Sequence, residues 1–179
     1  IMALKFIGAN GSGSTSAAVK AIEYAINNGA HITNNSWGGA GFSNSLFEVI
    51  SKAQNAGQLF IAASGNEGVN IDNQPTYPAS YDLDNIVVVG SISGNEELSS
   101  FSNYGPQTVD ILAPGDRIAS TYTNNGYAFS SGTSMAAPFV TGVASLMLEK
   151  YPDANYRQLK NGLKKWGSEI TSAVTTTNS

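Results

Sequence analysis

The sequence predicts an α/β fold in which a mostly parallel central sheet is covered by helices on both faces. Segments with strand and helix character alternate along the chain, and such alternation is typical of parallel sheets with right-handed crossovers. Residues 86–89 are apolar at every position, as in parallel strands that are buried on both faces. A second apolar stretch, after Thr133, has the length of a helix. We therefore expect three layers.

The amino-terminal half combines both kinds of element. Residues 11–16 form a glycine- and serine-rich turn that can cap a helix. The apolar residues that follow recur at helical spacing, and Gly29 and Gly57 are suited to end helices. We expect, in order, a core-like strand at 1–7, a helix at 19–26, a strand at 31–35, a helix at 46–53 and a strand at 59–63.

The carboxyl-terminal half continues the pattern. The helix from Thr133 is apolar on nearly every side, which predicts that it is buried. Residues 171–179 are polar and are expected to be frayed. We expect strands at 85–91, 109–112, 118–121 and 127–130, then the helix from Thr133 and an amphipathic helix at 156–166.

Composition excludes several classes of function. The chain has 179 residues, 41% of them hydrophobic and 12% charged, which suits one globular domain. A net charge of −4 argues against a nucleic-acid partner. The absence of cysteine excludes disulfides, thiol catalysis and thiolate zinc sites. No apolar run reaches membrane-spanning length.

Ser134 lies in the most informative segment, residues 132–138 (Gly-Thr-Ser-Met-Ala-Ala-Pro). A serine at the start of a helix lies where backbone N–H groups are unpaired, and the helix dipole stabilises negative charge there. Pro138 is compatible with a position near the first helical turn. These features suit a nucleophilic serine, although an ordinary helix-capping serine has the same pattern.

Six spaced motifs make the chain resemble the carboxyl-terminal half of the catalytic domain of subtilisin-like serine proteases, the subtilases or peptidase family S8. The resemblance runs from Ile1 to about Trp166, so residues 1–179 are expected to form part of one such domain, truncated at both ends. The motifs are Asn-Asn-Ser-Trp-Gly-Gly at 34–39, Ala-Ala-Ser-Gly-Asn-Glu-Gly at 62–68, Tyr-Pro-Ala at 77–79, Phe-Ser-Asn-Tyr-Gly at 101–105, Leu-Ala-Pro-Gly at 112–115 and Ser-Gly-Thr-Ser-Met-Ala-Ala-Pro at 131–138.

The resemblance implies a serine endopeptidase that cleaves protein or peptide substrates through an acyl-enzyme on Ser134. The Asn66 side-chain amide and the Ser134 backbone N–H would hold the oxyanion, although an asparagine after a glycine is also a frequent turn residue. The resemblance places the substrate-binding walls at Ser36, Trp37, Gly38, Ala63, Ser64, Gly65 and Thr133, with room for a medium or large apolar side chain. Trp37 also suits a core position.

The chain departs from the subtilase pattern at the catalytic triad, which runs Asp, His, Ser along the sequence. His31 is the only histidine, and it lacks the His-Gly-Thr surroundings of the catalytic base. Asp110 matches a structural aspartate rather than the triad acid. The base and its orienting aspartate are therefore expected upstream of Ile1, and the chain alone is expected to be inactive.

No cofactor is expected for the chemistry, but the resemblance allows a structural ion. In some relatives the carboxylate that matches Asp110 helps to bind calcium or sodium, here near Asp82 and Asp84. Oxygen ligands suit calcium. A solvated acidic loop is the alternative interpretation of these three residues.

Two functional hypotheses remain from the sequence. The first is a secreted or extracytoplasmic serine endopeptidase, whose other partner is the missing amino-terminal half of the same domain. The second is a non-catalytic, subtilase-like scaffold that binds peptides, although a scaffold needs neither Asn66 nor Ser134. A lipase or esterase is excluded, because position 136 is alanine rather than glycine and no histidine follows Ser134.

Overall fold

The structure, a computed structural model, describes residues 1–168. Within that part of the chain, every predicted helix is present and the strand predictions agree to within about two residues, with one exception at the amino terminus. The elements are α1 (Thr15–Asn27), β1 (Ile32–Asn35), α2 (Asn44–Asn55), β2 (Leu59–Ala63), β3 (Ile86–Ile92), β4 (Ile111–Pro114), β5 (Ile118–Tyr122), β6 (Gly126–Ser130), α3 (Thr133–Lys150) and α4 (Tyr156–Trp166).

A four-stranded parallel sheet forms the centre of the described chain, in the order β1-β2-β3-β4. Side chains of β2 alternate between its faces, as the pleat requires. Leu59 and Ile61 belong to an apolar layer with α3 and α4, whereas Phe60 and Ala62 belong to a second layer with α1 and α2. The predicted three-layer α/β architecture is confirmed. Strands β5 and β6 form a separate antiparallel hairpin that leads into α3.

The prediction of a strand at residues 1–7 is wrong. This segment has no strand pairing, and Ile1 is fully exposed. It lies beside the outer edge of β1, where both line a groove of about 650 Å³, and the ring of Phe6 packs edge-on against Trp37 at 5.3 Å between centroids. An apolar pattern favours burial but does not provide a neighbouring strand with which to hydrogen-bond.

Helix α3 is buried on one face rather than all round, contrary to the prediction. Val140 and Ala144 are buried against the sheet. Phe139, Val143 and Leu146 are 47%, 50% and 66% exposed on the other face. The sheet and α4 cover one side of the helix, and no element of residues 1–168 covers the other.

Two further predictions concern the chain termini and membranes. The predicted frayed tail, residues 171–179, lies outside the described residues. Among the helices that the structure describes, none is long and apolar enough to cross a membrane.

We expect this chain alone to self-associate and to bind the dye ANS, because it exposes an apolar strip and an unpaired strand edge. The strip consists of Phe139, Val143 and Leu146, and the edge is that of β1. Phe139→Ser should reduce both effects and change the free energy of unfolding by less than about 0.5 kcal/mol, as is usual for surface sites. The adjacent Val140→Ser is the matched control, because Val140 is 4% exposed. It should cost about 2 kcal/mol or more.

Size-exclusion chromatography measures self-association, ANS fluorescence measures dye binding, and urea denaturation at low protein concentration measures the free energy of unfolding. Equal destabilisation by both substitutions would contradict the exposure of Phe139.

Candidate active site

The candidate site lies where the carboxyl ends of β1 and β2 meet the amino end of α3. Ligands of parallel α/β sheets bind at this edge. The loop at 36–39 follows β1, and the loop at 64–69 follows β2. Together with the start of α3 they enclose a cleft of about 450 Å³, and both Ser134 and Asn66 line it.

Ser134 is the second residue of α3, and its backbone N–H is unpaired. The N-cap, Gly132, has φ 155° and ψ 159°, a conformation that is essentially restricted to glycine. Gly132 has no side chain that would accept from the first N–H groups of the helix. Within residues 1–168 the Ser134 N–H has no acceptor. It is therefore free to donate to a bound group.

Ser36 and Ser134 contact each other through both of their side chains. Pro138 lies four residues after Ser134 inside α3, further into the helix than the sequence suggested, and it has no N–H for the Ser134 carbonyl. The Ser36 hydroxyl donates to that carbonyl at 2.9 Å. The Ser134 Oγ in turn lies 3.4 Å from the Ser36 carbonyl oxygen. The proline thus frees an acceptor that links the loop after β1 to the helix.

The Asn66 side chain is held in one orientation by Thr133. Its Oδ1 accepts from the Thr133 backbone N–H at 2.8 Å and from the Thr133 hydroxyl at 3.1 Å. Because a backbone N–H can only donate, the atom that faces it must be the amide oxygen. The Nδ2 group has no acceptor among residues 1–168. Asn66 Nδ2 and Ser134 N–H are thus two unpaired donors at one cleft.

Five of the seven residues predicted to form substrate-binding walls line the cleft, and the other two are exceptions. Trp37 and Gly38 line one side, Ala63 and Gly65 line the other, and Thr133 lies between them. Trp37 also packs on the apolar layer of α1 and α2, so both interpretations of this residue apply. The cleft is also lined by Gln74, Pro75 and Thr76. They lie in a segment without periodic pattern, so nothing in the sequence indicated them.

Ser64 and Ser36 are the two exceptions. Ser64 is fully buried, and its hydroxyl donates to the Asn103 carbonyl at 3.1 Å. It therefore supports the wall from behind instead of lining it. Ser36 lines the neighbouring groove beside β1 and bonds to Ser134. The resemblance placed both serines in the walls, but their hydroxyls bond elsewhere.

An aromatic cluster of Phe42, Phe47, Tyr77 and Tyr81 lies behind one wall. Tyr77 exchanges two backbone hydrogen bonds with Gly39, at 2.8 and 2.9 Å, which ties the cluster to the cleft rim. Burial raises the pKa of the Tyr81 phenol, and the neighbouring Tyr77 adds to this shift. The phenol donates to the Ser43 carbonyl at 3.0 Å.

His31 does not reach Ser134. It is exposed and precedes β1, whereas Ser36 follows that strand. Five residues of extended chain span about 16 Å, so the histidine lies at the opposite end of the strand from Ser134. This placement agrees with the expectation of a strand-end histidine.

Asp110 has its own partners, away from Ser134. Its Oδ2 accepts from the Val88 N–H at 3.0 Å and lies 3.4 Å from the Lys160 ammonium. Its Oδ1 pairs with Lys164 at 2.9 Å. The Lys160 ammonium also donates to the Ile86 carbonyl. The positive charge beside this carboxylate is thus provided by two lysines.

The other two acidic residues do not join Asp110 as a ligand cluster. Asp84 pairs with Arg157 at 3.1 Å, and this hydrogen bond raises the pKa of the Arg157 guanidinium. Asp82 is exposed. Within residues 1–168 no group of three metal-binding side chains is present. A calcium or sodium ion at these residues stays a prediction.

Comparison with known proteins gives a consistent result. The model of the subtilase family, peptidase family S8, matches residues 1–174. Subtilisin DY from Bacillus licheniformis is 38% identical over 171 residues, which are 95% of this chain and 61% of that protein. Subtilisin Savinase from Lederbergia lenta is 40% identical over 172 residues, 96% of this chain and 62% of that protein.

Solved structures agree. A cold-adapted subtilisin-like serine proteinase matches with a TM-score of 0.87 and 35% identity, covering 97% of this chain and 62% of that one. The prenylagaramide maturation protease PagA matches with a TM-score of 0.77 and 31% identity, covering 90% and 64%. The chain thus spans about three fifths of the length of these relatives. By its fold, its motifs and these matches, the chain belongs to the subtilase family of serine proteases.

Proposed function

We propose that this chain carries the nucleophile, the oxyanion hole and the substrate-binding walls of a serine endopeptidase. The orientation of Asn66 carries the proposal. Thr133 holds its amide oxygen, which leaves the Nδ2 donor unpaired beside the unpaired Ser134 N–H. Two preorganised donors next to a serine hydroxyl suit a reaction in which negative charge develops on a carbonyl oxygen.

In the proposed reaction the Ser134 Oγ attacks the carbonyl carbon of a peptide bond while its proton passes to a base. The carbonyl oxygen becomes an oxyanion, which accepts from Asn66 Nδ2 and Ser134 N–H. The tetrahedral intermediate collapses, the C–N bond breaks and the amine leaves with a proton from the same base. Water then hydrolyses the Ser134 ester by the reverse sequence of proton transfers.

The base and its orienting acid are proposed to come from an amino-terminal segment outside these 179 residues. His31 and Asp110 lie away from Ser134, and the sequence contains no other histidine. The exposed strip of α3 and the open edge of β1 provide surfaces for such a segment. The resemblance to subtilases assigns it an Asp followed by a His.

The substrate is proposed to be a protein or peptide with an apolar side chain at the cleavage site. Glycine and alanine at Gly38, Gly65 and Ala63 leave room between the two walls. The family resemblance also implies a secreted or extracytoplasmic location. A peptide-binding scaffold is the alternative, but it gives the two unpaired donors and the hydroxyl no role, because binding alone does not need them.

The first test uses a fluorophosphonate probe, which labels an activated serine. The chain alone should remain unlabelled, because no base takes the Ser134 proton. Co-expression with the amino-terminal half of a close subtilase should restore stoichiometric labelling, and Ser134→Ala should abolish it. Labelling of Ser134 in the chain alone would show that a base lies within these residues. No labelling in the assembled domain would contradict the proposed function.

The second test separates the Asn66 Nδ2 donor from the hydrogen bonds by which Thr133 holds the Asn66 amide oxygen. In the assembled domain, Asn66→Asp keeps an acceptor for the Thr133 N–H but removes the Nδ2 donor. Both Asn66→Asp and Asn66→Leu should lower kcat by about 100- to 1000-fold, the loss known for the matching asparagine of subtilisin. KM should change by less than about threefold, because the donor acts in the transition state.

Steady-state hydrolysis of a chromogenic peptide gives both constants, and Asn95→Leu, at an exposed turn, is the control. A steep rise in KM with kcat unchanged would make Asn66 a substrate-binding or turn residue.

A further inference from the structure

Asn103 lies between β3 and β4 and is fully buried. Its Oδ1 accepts from the backbone N–H groups of Glu67 and Val69, at 3.0 and 3.1 Å. Its Nδ2 donates to the Ser64 carbonyl at 3.0 Å and to the Glu67 Oε2 at 2.6 Å. A side-chain amide has two donors and two acceptor sites, and here all four are used on one short loop.

The backbone of Asn103 holds the same loop. Its N–H donates to the Gly65 carbonyl at 3.0 Å, and its carbonyl accepts from the Ser64 hydroxyl at 3.1 Å. Gly65 has φ 108°, and a Cβ there would collide with the Asn103 amide. The loop at 64–69 therefore lies directly on Asn103.

Asn103 holds Asn66 indirectly, through the Glu67 side chain. Its backbone N–H donates to the Glu67 Oε2 at 3.0 Å, the same oxygen that accepts from Asn103 Nδ2. The chain of contacts runs from Asn103 through the Glu67 carboxylate to the Asn66 backbone. Thr133 holds the side-chain amide of the same Asn66.

We propose that Asn103 is a positioning residue for the oxyanion hole, and that it acts on Asn66 through the Glu67 carboxylate. The inference rests on the proposed function. An oxyanion donor must lie within hydrogen-bonding distance of the developing charge, and a displacement of about 1 Å can cost about 100-fold in rate. A buried, fully bonded amide is rigid, because every alternative orientation leaves a buried polar atom unpaired.

The test exchanges donor and acceptor within the assembled domain. Asn103→Asp keeps the acceptor for Glu67 and Val69 but turns the Nδ2 donor into an oxygen that faces the Glu67 carboxylate. We expect kcat to fall by about 10- to 100-fold, with KM within about threefold. In the Glu67→Ala background, which has no carboxylate to connect position 103 with the Asn66 N–H, Asn103→Asp should lower kcat by less than about threefold further.

Asn85→Asp is the matched control, because Asn85 is equally buried and lies at the start of β3, at the other end of the sheet from the cleft. It should lower Tm and leave kcat of the folded enzyme unchanged. If Asn103→Asp does not fold, Glu67→Ala tests the same link at an exposed residue, with an expected loss in kcat of about tenfold.

An active domain in which Asn103→Asp keeps its kcat overturns the positioning role alone, as does an equally large loss of kcat from Asn103→Asp in the Glu67→Ala background. If only Glu67→Ala can be tested, unchanged kcat overturns it. A wild-type assembled domain without Ser134-dependent turnover overturns the proposed function, and the positioning role with it.

Discussion

The hydrogen bond from the Thr133 backbone N–H to the Asn66 Oδ1, at 2.8 Å, joins the loop after β2 to the first residue of α3. It uses an N–H that a helix start leaves unpaired. In doing so it determines which end of the Asn66 amide is free. Gly132 keeps the next N–H, that of Ser134, unpaired, since a serine or aspartate N-cap would accept from the N–H two or three residues after it. The helix start therefore binds a neighbouring loop and keeps a donor for a ligand.

A second link depends on Pro138 in the same way. The proline withholds an N–H from the Ser134 carbonyl, and the Ser36 hydroxyl takes its place at 2.9 Å. Helix α3 has no side-chain N-cap at Gly132 and no backbone donor at Pro138. The groups left unpaired at these two places bond to the loop after β2 and to the loop after β1. Three separate segments are brought together in this way. The two apolar layers pack the helices against the sheet, and this packing fixes the separation of the segments that the hydrogen bonds join. Ser134 is placed by all of them.

Local pattern was sufficient for most elements, whereas the candidate site residues came from the resemblance to subtilases. Strand β2 and helix α4 have the bounds that their apolar patterns predict, and the glycine-rich motif around Asn66 indicated that residue through the resemblance. Features that depend on distant partners were not predictable. The sequence around residues 1–7 does not show whether a neighbouring strand is available to pair with them. Likewise, Ser64 and Ser36 have the right chain neighbours, but their hydroxyls bond to Asn103 and Ser134.

The most direct measurement is a crystal structure of the assembled catalytic domain inhibited by a peptide boronate. The boron should be bonded to the Ser134 Oγ. One boronate oxygen should lie about 2.7–3.1 Å from both Asn66 Nδ2 and the Ser134 backbone nitrogen, the geometry of an oxyanion hole. The account is contradicted if that oxygen faces solvent while the Asn66 Nδ2 is bonded to a protein carbonyl.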